Sequence, residues 1–326
     1  MAGIPHLDVL ALGELLIDMF AADTGDLVAA RTFAKAAGGA PANVAVGLVR
    51  LGRHDGFVGC VGDDPFGRFL RLTLEQEGVD TAGLATTRRA PTTLALVSRT
   101  AGGERDFQFY RHPGADTQLE PAHIPDELLR RAAILHAGSL SLTDEPARST
   151  TLDALARARQ LGLLISCDPN LREPLWRGEL GRARTEIMGL LQQAHVVKIS
   201  REELAFVTGS DDPAVAAARL WHDDLRLLVV SLGPAGCWFR CASGEGSVPG
   251  FAVQAIDTTG AGDSFVAGLL ASILDLQIDL RQPDLADVRT ALRRANAAGA
   301  LTTTALGAIP ALPTRAAVDQ LAAGTS

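Results

Sequence analysis

Asp257-Thr258-Thr259-Gly260-Ala261-Gly262-Asp263-Ser264-Phe265-Val266-Ala267-Gly268 is the stretch on which the reading of this chain turns. A strand-like run, Phe251 to Ile256, precedes it, and a small-residue pattern with helical spacing, Ser264 to Leu274, follows. Gly260, Ala261 and Gly262 carry almost no side chain, so their backbone N–H groups can converge on one point. That point lies at a helix N-terminus, where unpaired N–H groups and the macrodipole favour an anion. Asp263 stands at its edge. A carboxylate beside an anion site is repelled by the ligand, and it makes sense there as a base. It would take a proton from a hydroxyl that attacks a phosphoryl group. Taken alone, Gly-Ala-Gly-Asp reads first as a capped helix start. The rest of the chain decides between the two.

The chain has 326 residues, enough for one large α/β domain or two ordinary ones. No apolar run approaches the length of a membrane span. The N-terminal residues lack the basic-then-apolar order of a signal peptide, so a cytoplasmic enzyme is the expectation. The formal net charge of −8 argues against a nucleic-acid binder. Only two residues are lysine, Lys35 and Lys198, and neither follows Gly-x-x-x-x-Gly, so no P-loop is present. No Gly-x-Gly-x-x-Gly opens a βαβ unit either, which weakens a dinucleotide enzyme. Cys60, Cys167, Cys237 and Cys241 lie in apolar, strand-like surroundings and read as buried free thiols, not as zinc ligands or disulfides.

From the N-terminus, Val9 to Phe20 reads as a strand-like apolar run broken by Glu14 and Asp18, and residues 22–36 read as loop. Gly38-Gly39-Ala40-Pro41-Ala42-Asn43 then opens a helix that Gly52 stops. Thr92 to Arg99 and Asp106 to Arg111, around Ala101-Gly102-Gly103-Glu104, read as a hairpin apolar on both faces. Such a hairpin should cover a ligand with one face and touch the body or a partner with the other. After it, strands and helices alternate, the signature of a mostly parallel sheet. Asp168-Pro169-Asn170-Leu171-Arg172, Ser200-Arg201-Glu202-Glu203 and Ser231-Leu232-Gly233-Pro234-Ala235-Gly236 each follow a strand. All therefore fall on the edge where open α/β sheets bind ligands. Arg172 is a natural clamp for phosphate or sugar oxygens, with a structural ion pair as the plainer reading.

The stretch from Asp257 to Gly268 resembles the second signature of the ribokinase family of carbohydrate kinases, the phosphofructokinase-B type, and Gly38 to Gly52 resembles the first. The likeness runs from about residue 9 to Pro313. It implies one ribokinase-like α/β domain over residues 1–326, with a central, mostly parallel sheet flanked by helices. A small β-sheet lid would be built from segments about 20–37 and 92–112, and it often mediates dimers. The resemblance makes Asp263 the base and the Gly260, Ala261 and Gly262 backbone the anion hole. It places the sugar against Asp18, Gly38, Gly39, Asn43, Phe109, Arg111 and Arg172. ATP would meet Asn170, Ser200, Ser231, Gly233, Gly236, Gly262 and Asn296. It gives Mg²⁺, through water, to Glu203, and a monovalent cation such as K⁺ to the loop of Asp257 and Thr259. Ser200 stands where the family often has Asn, a departure that leaves Glu203 the firmer of the two.

Several stretches look most like fructokinases, among them Phe109-Tyr110-Arg111-His112-Pro113, Gly138-Ser139-Leu140-Ser141-Leu142 and Gly307-Ala308-Ile309-Pro310-Ala311-Leu312-Pro313. The resemblance thus implies ATP-dependent phosphorylation of D-fructose at O6. A 2-keto-3-deoxygluconate kinase remains an alternative, with Arg111 or Arg172 as the extra cation its carboxylate would need. A nucleoside or ribose kinase stands further off, and a non-catalytic sugar-binding module further still, since a sensor needs no base.

Overall fold

The structure, a computed structural model, describes residues 6–23, 25–99 and 105–324. In chain order the first half runs β1 (Leu7–Leu12), β2 (Leu16–Ala21), β3 (Phe33–Gly38), α1 (Ala40–Arg50), β4 (Asp55–Gly62), α2 (Pro65–Gln76), β5 (Asp80–Thr87), β6 (Leu94–Arg99), β7 (Arg105–Tyr110), α3 (Asp126–Leu129), β8 (Ala132–Ala137) and α4 (Ala147–Gln160). The second half runs β9 (Leu164–Cys167), α5 (Leu180–Leu191), β10 (Val196–Ser200), α6 (Arg201–Thr208), α7 (Pro213–Leu220), β11 (Leu227–Ser231), β12 (Cys237–Cys241), β13 (Gly244–Val248), α8 (Ala261–Asp275), α9 (Leu285–Thr302) and α10 (Arg315–Ala323).

Nine strands form the main sheet in the order β13-β12-β11-β10-β9-β8-β1-β4-β5. It is parallel from β5 to β11, and β12 and β13 add an antiparallel edge. Alternate residues of the central strands feed two separate cores. Leu10, Leu135, Ile165, Val197 and Leu228 face α4, α5, α6 and α7. Val9, Ile134, Val196 and Val229 face α1, α8, α9 and α10. Burial on both sides is why these strands read as unbroken apolar runs. Among the described residues no helix is long and apolar enough to cross a membrane.

β3, β2, β6 and β7 form a second, four-stranded sheet. Register puts Asp18 beside Ala36 on β3 and Ala95 on β6, and Ala95 beside Phe109 on β7. Asp18, Ala36, Ala95 and Phe109 therefore share one face of this sheet. Met19, Lys35 and Leu94 share the other, and Lys35 reaches α2, its ammonium 3.9 Å from the centre of the Phe69 ring. This small sheet, separate from the main one, is the second β-sheet that the resemblance implied. The turn at Ala101 to Glu104 lies outside the described residues, as do the side chains of Asp106 and Phe107.

Three local readings are corrected. The run from Val9 to Phe20 is not one strand. It divides at Gly13-Glu14-Leu15 between the main sheet and the small one. Residues 22–36, read as loop, contain most of β3, because pairing with β2 overrides the weak strand preference of Phe33-Ala34-Lys35-Ala36-Ala37. Phe251 to Ile256 is not a strand, for it pairs with no strand of either sheet. The segment runs instead along a cavity wall, and the Ile256 N–H bonds to the Thr303 carbonyl.

Candidate active site

α8 begins at Ala261 with Gly260 as its cap residue, at φ 76°. That left-handed conformation suits glycine, and a Cβ there would come 2.9 Å from the Ala308 Cβ. The first turn of α8 brings Asp263 inside, where it is 9% exposed. α1 packs alongside, closely enough that a Cβ on Gly47 would lie 2.8 Å from the Ala267 Cβ. This crossing carries Asn43 to Asp263, and the Asn43 Nδ2 donates to Asp263 Oδ2 at 2.7 Å. Asn43 Oδ1 is buried with no partner in the protein. The two signature stretches, 220 residues apart, thus meet in one hydrogen bond. Burial raises the Asp263 carboxyl above its ordinary range, and the Asn43 bond, then Lys198 and Arg172, pull it back. A half-restrained, buried carboxylate next to a helix N-terminus has the character of a general base.

The small sheet supplies the opposite wall. Asp18 and Gly38 are so close that a Cβ on Gly38 would collide with Asp18 Oδ2, and one on Gly39 would collide with the Glu14 carbonyl. Phe109 is partly buried on the same face of the sheet as Asp18. A cavity of about 410 Å³ separates this sheet from Asp257, Leu306, Gly307 and Pro310 of the body. The placement of Arg111 corrects its expected part in sugar binding. Its Nε donates to Asp116 at 2.7 Å, one terminal nitrogen to Thr143 and Asp144, and the other to the Leu140 carbonyl at 2.9 Å. The guanidinium is fully buried and every nitrogen is engaged, so it anchors the end of the small sheet to the body.

On the far side of α8, a cavity of about 570 Å³ is lined by Ser231, Gly233, Gly236, Phe251, Gly262 and Asn296, among others. The Asn296 Nδ2 donates to the carbonyls of Val248 and Pro249 at 3.2 and 3.1 Å, which fixes the wall of this cavity. Ser200 caps α6, and Glu203 completes the capping box by accepting the Ser200 N–H at 2.9 Å. The other Glu203 oxygen accepts the Leu171 N–H at 2.7 Å and so ties the loop after β9 to α6. In that loop Asn170 has φ 46° and Arg172 is exposed. Asp257, buried, accepts from Thr259 N at 2.8 Å and Gly307 N at 3.0 Å, which joins the loop before α8 to the one after α9.

Known proteins resemble this chain over nearly its whole length. A match to the family described as pfkB family carbohydrate kinase spans residues 6–315. The chain belongs to the pfkB family of carbohydrate kinases. A relative described as probable fructokinase-4 of Arabidopsis thaliana is 47% identical, covering 97% of each chain. A fructokinase from Xylella fastidiosa, solved with bound ATP, superposes with a TM-score of 0.87 at 36% identity, over 96% of this chain and 97% of that one. A double mutant of a Vibrio cholerae fructokinase, solved with fructose, ADP and a potassium ion, gives 0.86 at 37% identity, over 98% and 99%. As a member of this family the enzyme is a phosphotransferase with a hydroxyl acceptor.

Two buried charged groups beside these residues were given no part in the sequence reading. Lys198, 7% exposed, bonds to Asp168 Oδ2 at 2.8 Å, and a Cβ on Gly262 would lie 3.0 Å from its ammonium. Burial alone would push that ammonium down, but Asp168, Glu203 and Asp263 together hold it above the usual lysine range. The signal was a lone charge in the buried strand Val196-Val197-Lys198-Ile199. Glu14, read only as a break in a strand, accepts the Ala40 N–H at 2.8 Å and holds the corner where the small sheet meets α1. Burial raises its carboxyl to about 7.

Proposed function

We propose that this enzyme transfers the γ-phosphoryl group of ATP to O6 of D-fructose, with Asp263 as general base. The observation that carries the reading is the Asn43–Asp263 hydrogen bond at the mouth of the Gly260–Gly262 turn. It supports the reading because Asn43 Oδ1, buried with no partner in the protein, is left beside Asp263 to accept from a sugar hydroxyl. Fructose lies between the small sheet and α1, held by Asp18, the Gly38-Gly39 backbone, Asn43 and Phe109, with Arg172 at the phosphate side. ATP takes the cavity of Ser231, Gly233, Gly236 and Asn296, its phosphates directed at Asn170, Ser200 and the nest of Gly260, Ala261 and Gly262. The base accepts the proton of the attacking hydroxyl as the nest N–H groups hold the charge spread over the phosphoryl oxygens. Closure of the small sheet excludes water, which limits wasteful hydrolysis.

Glu203 suits a magnesium ion bound through water. Its two oxygens each accept one backbone N–H and keep further lone pairs, and among the described residues no three His, Cys, Asp or Glu side chains gather as a metal cluster. Such an ion would neutralise phosphate charge. Asp257 and Thr259, joined to the loop at Gly307, suit a monovalent cation such as K⁺. Tyr110, 59% exposed on the outer face of the small sheet, fits a homodimer formed through it. Four buried free thiols fit a cytoplasmic setting.

The rival 2-keto-3-deoxygluconate reading needs a free cation in the sugar pocket. Arg111, tied to Asp116 and Asp144, is not free, which leaves that reading only the exposed Arg172, here assigned to the phosphate side. An ATP-turnover assay over fructose, 2-keto-3-deoxygluconate, ribose and a nucleoside separates these readings. Fructose should give the highest kcat/KM, and turnover of none of them would overturn the assignment.

A further inference from the structure

The anion nest at the start of α8 is built of neutral N–H groups, but a full positive charge stands directly behind it. Lys198 leaves the third-from-last position of β10 on the sheet face that α8 covers, and its ammonium lies against Gly262. Any side chain at Gly262 would have to share space with it. The sole hydrogen-bond partner of the ammonium among the described residues is Asp168 Oδ2 at 2.8 Å. An ammonium has three donors, so two point to no protein acceptor in a position 7% exposed. The carboxylate is equally incomplete, since Asp168 Oδ1 is buried with no partner. A buried ion pair kept only for stability needs its remaining donors and lone pairs satisfied, and an apolar pair would serve as well. This pair is left open on the side of the nest.

We propose that Lys198 is a functional part of the phosphoryl site, with its ammonium supplying a fixed positive charge to the Gly260–Gly262 nest and Asp168 holding it there. The inference rests on the reading of that nest as the phosphoryl site. In a dry, preorganised pocket such a charge acts on the transition state, in which phosphoryl oxygens carry their largest charge, more than on the bound sugar. Lys198 is therefore a positioning and electrostatic residue of the transfer step. It is no proton carrier, so the step itself is unchanged: the bond from Pγ to the bridging oxygen of ATP breaks, the bond to the sugar oxygen forms, and the hydroxyl proton goes to Asp263.

The test compares two variants with the same residue at 168. Lys198→Met alone would strand a buried carboxylate, so the pair is Asp168→Asn and Asp168→Asn/Lys198→Met, the second being a neutral replacement of the ion pair. Each is assayed for kcat and KM on fructose, and for affinity toward ADP with and without aluminium fluoride, a probe of the transferring group. The inference predicts at least about a tenfold lower kcat in the double variant than in Asp168→Asn, with fructose KM within about threefold. It also predicts a similar loss of affinity for ADP with aluminium fluoride and none for ADP alone. Equal kcat and equal affinities in the two variants would make Lys198 a packing partner of Asp168 and overturn the inference. The affinity measurement needs no sugar turnover, so a failure of wild-type protein on fructose would strike the substrate assignment and leave this comparison readable.

Discussion

Asn43 shows how one side chain can join two functions. Its amide donates to Asp263 and its buried oxygen has no partner in the protein, the oxygen that the proposed function gives to a substrate hydroxyl. Removing it in Asn43→Ala should lower kcat/KM by about 10–100-fold, the worth of a buried hydrogen bond to a charged group. Asp263 would also lose the largest influence opposing its burial. Its carboxyl then rises further, so the acid limb of the pH–kcat/KM profile should move to higher pH. A limb that stays in place would detach Asn43 from the base. On the sugar side, Asp18→Ala should weaken fructose binding by about tenfold or more and leave ATP binding within about threefold, as read by calorimetry. The reverse pattern would remove Asp18 from the sugar wall. Asp263 and Asn43 were legible in the sequence because each is a polar residue in a small-residue helix start. Arg111 was misread because sequence does not tell an arginine facing a ligand from one enclosed by Asp116, Thr143 and Asp144.

The helices α1 and α8 set the geometry that those residues need. Their crossing is close because glycine and alanine face each other, with Gly47 against Ala267. Gly268 makes the next crossing close as well, since a Cβ there would lie 3.0 Å from the Ala298 Cβ of α9. In Gly47→Val the added carbons must push α1 away from α8. The gain in helix propensity over glycine, under about 1 kcal/mol, is smaller than the overpacking penalty of about 1–3 kcal/mol. A lower Tm and a reduced kcat should appear together, because the same displacement lengthens the Asn43–Asp263 bond. An unchanged kcat at lowered Tm would show that the crossing is only structural. The helices were legible from period and punctuation: Pro41 near the start of α1, Gly52 after its end, and the small residues of α8. β3 was not, because its alanines, two of which (Ala34 and Ala36) line the cavity beside the small sheet, have little strand preference of their own.

At the scale of the whole molecule, the parallel sheet gathers the ends of β9, β10 and β11 at one edge and leaves the opposite edge to stability. Asp55, at that opposite edge, accepts the Val9 N–H at 2.9 Å with one oxygen and buries the other without a partner. Burial raises its carboxyl from 3.8 to about 8. The folded state therefore holds a proton that the unfolded chain releases. Its contribution is fully present below pH 3.8 and is lost as pH rises through about 8. Asp55→Asn keeps the acceptor and never ionises, so its stability relative to wild type should grow between these limits, by about 1–3 kcal/mol at the alkaline end. Urea melts at several pH values check this, and a constant difference would mean that Asp55 titrates alike in the folded and unfolded chain. The alternation of strands and helices made the main sheet legible. Which strands divide between two sheets was not, because the division at Glu14 depends on distant partners. Sheet edge, small sheet and helix crossing all converge on one buried carboxylate, and kinetics with binding on Asp263→Asn is the direct test. The account predicts a kcat lower by about 10²–10⁴ with fructose affinity close to wild type. Turnover near that of wild type would contradict it.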